Sequence, residues 1–476
     1  MDIEKSSSIL FISKIVTTGI TFIAILYFSR EFGPSQIGIF FLFQSLLNLI
    51  SVPTDLGIRS ATEKRISEGM DPRSVLGTAI VSKILLLFIA TISILIFRVK
   101  INDYIGHRLA YFLIVGLILH EATELLTGVL KGELRVSQTA LLEFIKQTTW
   151  VGAGVGLSQF GLEGAGMVYA LIISLGLTSI FGGFLIHTQL AWPRYSALLS
   201  LVHYAKYNII AIIGSQVYNW IDVAIIGYLL TRTSVGIYEV TWRISAIAIL
   251  FSKSYTATTF PVMSQWFEKR RFNEIQHLLT DSISYGALLT IPASCGVILL
   301  STELIHFTFG KEYLPGATVL VILMINRLAE SLQLTFRSGL QAIDRPDLAA
   351  KAALLGTCLN ILLNIMLGMT FGLEGIAVGT LLSMVLGGVI LNFYYLNSHI
   401  SVIMNKSEIG WILISSVGMS IIIETYLMFY SIESTLELIT FIFCLTVIYL
   451  CLMYPHPSLR HKIAAIAFQD VKNTEA

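Results

Sequence analysis

Fourteen ionisable side chains sit in stretches of this sequence whose neighbours are almost all apolar. The basic set is Lys14, Lys83, Lys146, Arg243, Lys253, Arg327 and Arg337, and the acidic set is Asp55, Glu121, Glu124, Glu143, Asp222, Glu239 and Glu330. A charge in an apolar medium is costly, so each of these groups must either pair with an opposite charge or face a wet cavity. Three pairs lie three or four positions apart, where one helix brings them together: Glu143 with Lys146, Glu239 with Arg243, and Arg327 with Glu330. Lys14, Lys83, Arg243 and Lys253 lack a local carboxylate, Glu239 beside Arg243 excepted. Together with Arg327 they are the candidates to grip an anion such as a phosphate, for which Arg offers a planar fork and Lys a point charge. Lys14, Lys253 and Arg337 also lie close enough to helix ends for their heads to snorkel to the interface. Asp222, Asp55, Glu121 and Glu124 are the candidates for ion coupling, because a carboxylate in a low dielectric can change protonation.

Polar side chains extend these points into stripes with the spacing of one helix face. Lys14 runs with Thr17, Thr18 and Thr21; Asp222 with Asn208, Ser215 and Asn219; Glu330 with Asn326, Gln333 and Arg337. Such stripes read as cavity walls. Motifs for covalent chemistry are missing. LHEATE at Leu119 to Glu124 lacks the second His of a zinc HExxH motif, GAGVG at Gly152 to Gly156 lacks dinucleotide-fold spacing, and no GxxxxGK[ST] phosphate loop occurs. Neither a catalytic group, a resident metal nor an organic cofactor is expected; the ions implicated are protons or sodium. Cys295, Cys358, Cys444 and Cys451 all lie in apolar runs without metal or disulfide spacing, and are expected to be small core residues.

The elements that must position these residues are membrane helices. Only 13% of residues are charged, 55% are hydrophobic and the mean hydropathy is +0.77, against roughly a quarter charged in soluble domains. Fourteen apolar windows are long enough to cross a bilayer: 9–28, 37–58, 76–97, 109–130, 138–158, 164–187, 207–230, 236–260, 282–301, 316–338, 348–369, 375–396, 409–430 and 436–454. The first follows MDIEKSSS without a cleavage site, so it is expected to be a retained span with no soluble domain before it. Alternate loops differ in basic content. One set carries residues such as Lys64, Arg65, Arg73, Lys131, Arg135 and Lys406, the other only Arg30, Arg98, Lys100, Arg108, Arg232 and Lys311. Both termini are therefore expected in the cytoplasm. Net charge is +1, and nothing points to nucleic acid.

FGLEG occurs at Phe160 to Gly164 and again at Phe371 to Gly375, each time in a short outer turn, six helices apart. Gly38-Ile39-Phe40 answers Gly236-Ile237-Tyr238, and Thr127-Gly128-Val129 answers Ser338-Gly339-Leu340, in the same order. An even number of helices between copies gives a parallel repeat about an axis along the membrane normal. The expected fold is an all-α polytopic membrane protein of about 14 transmembrane helices. It consists of a six-helix lobe over 1–195, a second over 196–400, and two further helices with a tail over 401–476. A cleft between the lobes would open to alternate sides.

SREFGPSQIGIF after the first span, TDLGIRSATEKRISE closing the second, NWIDVAIIGYLLTRTSVGIYEVTWRIS across the seventh and eighth, and SGLQAIDRPDLA closing the tenth carry a resemblance. Over essentially its whole length the chain resembles the polysaccharide flippases of the multidrug/oligosaccharidyl-lipid/polysaccharide exporter superfamily. The resemblance implies a multi-pass protein of the cell membrane. Its substrate would be a polyprenyl-phosphate- or pyrophosphate-linked glycan, on a dolichol or undecaprenol carrier, moved to the outer leaflet for surface polysaccharide or protein glycosylation. Glycosyltransferases of the same pathway are the implied partners. The family's aspartate of the seventh helix falls on Asp222, the aspartate end of its second helix on Asp55 and Gly57, and its basic position in the eighth on Arg243. Two other readings stand beside it: an ion-coupled exporter of drugs or cations from the same superfamily, which substrate charge would discriminate, and a membrane glycosyltransferase or polymerase, which the short outer loops disfavour.

Overall fold

The computed structural model describes the backbone of residues 3–468 and the side chains of residue 13 and residues 16–206 and 216–463. Among these every regular element is helical. Two compact units divide the chain, Met1–Glu239 and Val240–Ala476.

The first unit holds α1 (Ile3–Asp55), α2 (Ile58–Ser67), α3 (Pro72–Ile96), α4 (Arg98–Ile105), α5 (Ala110–Gly132), α6 (Val136–Ser158), α7 (Glu163–Leu185), α8 (Tyr195–Leu229) and the first half of α9 (Arg232–Ala246). The 53 residues of α1 are two spans, because Gly33 has φ 73° and the next residue, Pro34, lacks an amide proton. At the end of the second span Leu56 and Gly57 take positive φ, and the Asp55 carboxylate accepts from the N–H groups of Gly57 (3.2 Å) and Arg59 (3.1 Å). The DLG triplet therefore ends one helix and starts α2. Ile58, Ala61 and Ile66 of α2 pack with Val75, Leu76 and Ala79 of α3, Leu125 and Val129 of α5, and Leu201 of α8. α3 turns Ser74, Thr78, Ala79 and Lys83 inward and leaves Ile84, Leu85, Phe88 and Ile89 exposed, as a helix between protein and lipid must.

The second unit holds the rest of α9, then α10 (Leu250–Glu268), α11 (Phe272–Thr308), α12 (Ala317–Ala342), α13 (Pro346–Ser383), α14 (Leu391–Asn397), α15 (Lys406–Phe429), α16 (Thr435–Met453) and α17 (Pro457–Phe468). α13 breaks at Gly372 (φ 61°, ψ −136°), so it too is two spans. Asn360 and Asn364 before the break each donate to the Thr380 hydroxyl after it (3.3 Å), with all three side chains fully buried. α13 continues into α14 through a π-helical turn, Met384–Ile390, where Gly387 lies against Gly356 so closely that a Cβ would come within 2.3 Å of its Cα. α15 and α16 pack on α11 through Ile412, Met419, Leu438, Leu445 and Tyr449, and Tyr449 donates to the Leu288 carbonyl (2.8 Å).

All fourteen windows fall on helices, and ten helical stretches among the described residues are long and apolar enough to cross a membrane. Val16–Asp55 and Pro346–Asn397 each contain two windows, broken at glycine. The windows 138–158 and 207–230 lie in α6, which carries Glu143 and Lys146, and in α8. The two FGLEG copies share a positive φ at their first glycine, Gly161 (φ 71°) and Gly372 (φ 61°), and close packing at their second, where a Cβ would meet the Gln36 carbonyl at 2.3 Å (Gly164) or the Leu367 carbonyl at 2.0 Å (Gly375); Glu163 alone adds a second positive φ (38°), so the turns are related and not identical. The cysteines correct the expectation drawn from their neighbours. Cys358, Cys444 and Cys451 are exposed and Cys295 is half-buried, all four as free thiols. An apolar run in a membrane helix has two apolar directions, lipid and interior, and composition does not choose between them.

Candidate functional site

Seven of the fourteen ionisable residues gather in two networks, one in each unit. In the first, Lys83 of α3 reaches Asp55 at the end of α1 (2.6 Å) and also Glu121 of α5. Thr54 donates to the other Glu121 oxygen (3.0 Å). Lys83 is 3% exposed and Glu121 2%. Beside them Arg59 of α2 pairs with Glu124, one turn along α5. Lys83 has no local carboxylate, as its spacing indicated, and its partners are 28 and 38 positions away, from two other helices. The core of this network is one cation shared by two carboxylates, with the neutral Arg59–Glu124 pair next to it.

In the second unit the balance is reversed. Arg327 of α12 is 2% exposed; it stacks on Trp242 of α9 with its guanidinium carbon 3.9 Å from the ring centre, and its Nε donates to Ser245 (3.1 Å). It pairs with Glu330 one turn on, as its spacing required, and Lys253 of α10 reaches the second Glu330 oxygen (3.1 Å). Lys253, too, therefore has a carboxylate that local spacing did not disclose. Here two cations share one carboxylate. The Lys253 side chain is 50% exposed, so its ammonium, with three donors, stays open to a further acceptor.

Asp222 of α8 is buried and accepts from the Tyr238 hydroxyl (2.8 Å). Tyr238 occupies the place of Phe40 in the repeated Gly-Ile-aromatic segment, so one extra hydroxyl between the copies supplies the hydrogen bond. Arg243 is half-buried in the last turn of α9, and Glu239 is buried one turn before it. Glu143 and Lys146 pair along α6 (2.7 Å) as expected. The side chains of Lys14, Asn208 and Ser215 lie outside the described residues. In the remaining stripes the environment changes along the helix: Asp222 is buried and Asn219 exposed, Asn326 is buried and Arg337 exposed. A polar cavity of about 240 Å³ opens in the first unit between Thr17, Thr123, Glu124, Lys131, Glu143 and Lys146. Sequence reasoning missed Arg59, Trp242, Ser245 and the Asn360–Asn364–Thr380 group. Only the last left a signal, two asparagines four positions apart in an apolar run. No cluster of potential metal ligands occurs among the described residues.

The architecture is shared with known transporters. The structure of the lipid II flippase MurJ in an inward closed conformation superposes with a TM-score of 0.79 over 95% of this chain and 99% of that one, at 18% identity. An inward-facing multidrug resistance MATE family transporter of the MOP superfamily gives 0.65 over 81% and 94%, at 14% identity. The fold and its buried charges thus define a polytopic membrane protein with the fold of that superfamily. The family model described as polysaccharide biosynthesis protein matches residues 27–318, and the probable low-salt glycan biosynthesis flippase Agl15 of Haloferax volcanii is 40% identical over 93% of this chain and 94% of its own length. The chain belongs to this polysaccharide biosynthesis protein family.

Proposed function

We propose that this protein is a flippase that carries a polyprenyl-phosphate- or pyrophosphate-linked sugar from the cytoplasmic to the outer leaflet by alternating access, for surface polysaccharide or protein glycosylation. Family membership and the Agl15 relative support the class of activity. The observation that carries the substrate chemistry is the Lys253–Glu330–Arg327 trio, a cation-rich network with a half-exposed ammonium at one end. A phosphate docking on Lys253 gains a charge-assisted hydrogen bond and balances the excess positive charge, so it need not enter hydrocarbon as a bare anion. Arg243 of the same unit and, separately, Lys14 of the first unit are the other phosphate candidates. Lys83 is held by two carboxylates and is better suited to ion coupling with Asp55 and Glu121: three ionised groups leave one excess negative charge, which a proton or sodium ion removes. Glu124, paired with Arg59, and Asp222, bonded to Tyr238, are the other coupling candidates. Both termini lie in the cytoplasm, and glycosyltransferases that build the sugar are the functional partners. The chain itself performs no covalent step.

The test is reconstitution in liposomes with a prenyl-phosphate-linked sugar on one leaflet, followed by a membrane-impermeant sugar oxidant. Protein-dependent exposure that falls severalfold in Lys253→Ala is expected. Full exposure in Lys253→Ala removes the trio from the phosphate site, and Asp222→Asn with unchanged transport and insertion removes Asp222 from coupling.

A further inference from the structure

The basic residues of the sparsely charged face are not evenly spread. Arg98 and Lys100 lie on α4, Arg108 in the turn to α5, and Arg232 at the first position of α9. A cavity of about 550 Å³ is lined there by Asn102, Asp103, Gly106, His107, Arg108 and Arg232, with Val99 at its edge. Arg108 and Arg232 are both exposed, and neither forms an ion pair among the described residues. The Arg232 guanidinium lies directly on Gly106, where a Cβ would fall 1.7 Å from its carbon; Gly106 (φ +78°) is the residue that makes room for it. Two helices, α5 and α9, begin at this cavity and two, α4 and α8, end beside it, so helix-terminal partial charges of both signs meet there and the positive charge comes from the guanidinium groups. Asn102 accepts from the Ala110 N–H (2.9 Å), which fixes the turn that carries His107 and Arg108. Asp103 is the single carboxylate in the lining.

We propose that this cavity is a second phosphate-binding site, in which Arg108 and Arg232 grip a phosphate mono- or diester at the outer membrane surface. Its position on the outer face rests on the flippase topology proposed above. The ligand chemistry has two sources, the carrier phosphate of a lipid-linked sugar that has crossed, or the headgroup phosphate of an outer-leaflet phospholipid. Arg232 ties the site to the helix crossing beneath it. A Cβ on Gly38 of α1 would meet the Arg232 carbonyl at 2.0 Å, and one on Gly236 would meet the Pro34 carbonyl at 2.0 Å. Each glycine thus packs on the residue four positions before the other, so α1 and the start of α9 cross in direct backbone contact, with Tyr104 of α4 bonded to the Ala224 carbonyl of α8 (3.0 Å) alongside. A phosphate held by Arg232 sits on the turn that makes this crossing.

The test uses the full chain in maltoside micelles, which contain no phosphate, with geranylgeranyl monophosphate and phosphatidylglycerol as probes and native mass spectrometry as readout. Arg108→Ala/Arg232→Ala is expected to weaken one bound-lipid event at least about tenfold, as for the loss of charge-assisted hydrogen bonds, while Arg108→Lys/Arg232→Lys retains most of it. Preference for the prenyl phosphate identifies the carrier as ligand, equal displacement by phosphatidylglycerol identifies the phospholipid headgroup, and either supports the site. A folded alanine variant that binds both probes as the wild type does overturns it. If that variant does not fold, phenylglyoxal labelling of the wild type decides: shielding of Arg232 by either probe supports the site, and unchanged labelling overturns it. Transport needs no part in this experiment. Arginine-dependent binding without flipping would sink the flippase reading and leave the site, and flipping without arginine-dependent binding would do the reverse.

Discussion

Lys83 shows what a buried cation does when its partners come from other helices. Removing it leaves Asp55 and Glu121 facing each other without compensation, and breaking a buried pair in this way costs about 3 to 5 kcal/mol. Lys83→Met is therefore expected to lower the unfolding midpoint in detergent sharply, and adding Glu121→Gln should recover a large part of the loss; equal losses in the single and double variants would mean the carboxylate does not depend on the lysine. Glu133, outside the spans, gives a pH-dependent counterpart. Burial raises its pKa, but the hydroxyl and N–H of Thr188 and the N–H of His187 accumulate in the other direction and hold it below the ordinary 4.5. A depressed carboxyl stabilises the linker from α7 to α8 fully above about that pH, and the contribution is lost as pH falls through the folded-state value. Protection of the His187 and Thr188 amides from hydrogen exchange, corrected for intrinsic rate, should be flat from neutral pH down to about 5 and fall below 4.5, and Glu133→Ala should abolish that dependence. The same dependence in the variant would count against this role. Pairs within one helix, such as Arg327 with Glu330, were legible from spacing alone. The partners of Lys83 and Lys253 were not, because a contact between helices leaves no periodic mark.

At the scale of elements, glycine punctuates the helices. Gly372 has φ 61° and ψ −136° with open space around it, so Gly372→Ala meets no clash and its cost, about 1 to 3 kcal/mol, is the strain of a backbone conformation that side chains other than glycine rarely adopt. Gly19 sits in regular helix with nothing within 4 Å, and Gly19→Ala should be neutral or slightly stabilising. Thermal midpoints of the two variants check the contrast; equal shifts would mean that the break at Gly372 is not needed for folding. The repeated FGLEG made this break legible in the amino-acid pattern itself, since one pentapeptide in two places needs the same φ twice. Hydropathy located the fourteen windows equally well. It could not orient Cys444 or Cys451, because lipid and protein interior are equally apolar.

At the scale of the molecule, the charge networks of the two units are opposite in balance, carboxylate-rich around Lys83 and cation-rich around Glu330. Composition gave the total of these charges and their near equality, but only the fold sorts them. The flippase account rests on that sorting, with the cation-rich network meeting the phosphate and the carboxylate-rich one meeting the coupling ion. The most direct measurement compares two substrates in the same proteoliposomes, a prenyl-phosphate-linked sugar and a neutral glycolipid with the same sugar and chain, each read by exposure to an impermeant oxidant under imposed proton and sodium gradients. The account predicts protein-dependent exposure of the phosphate-linked sugar, accelerated by one of the gradients, with the neutral lipid left in place. Equal movement of both lipids, or of neither while a lipophilic cation is exported, would contradict it.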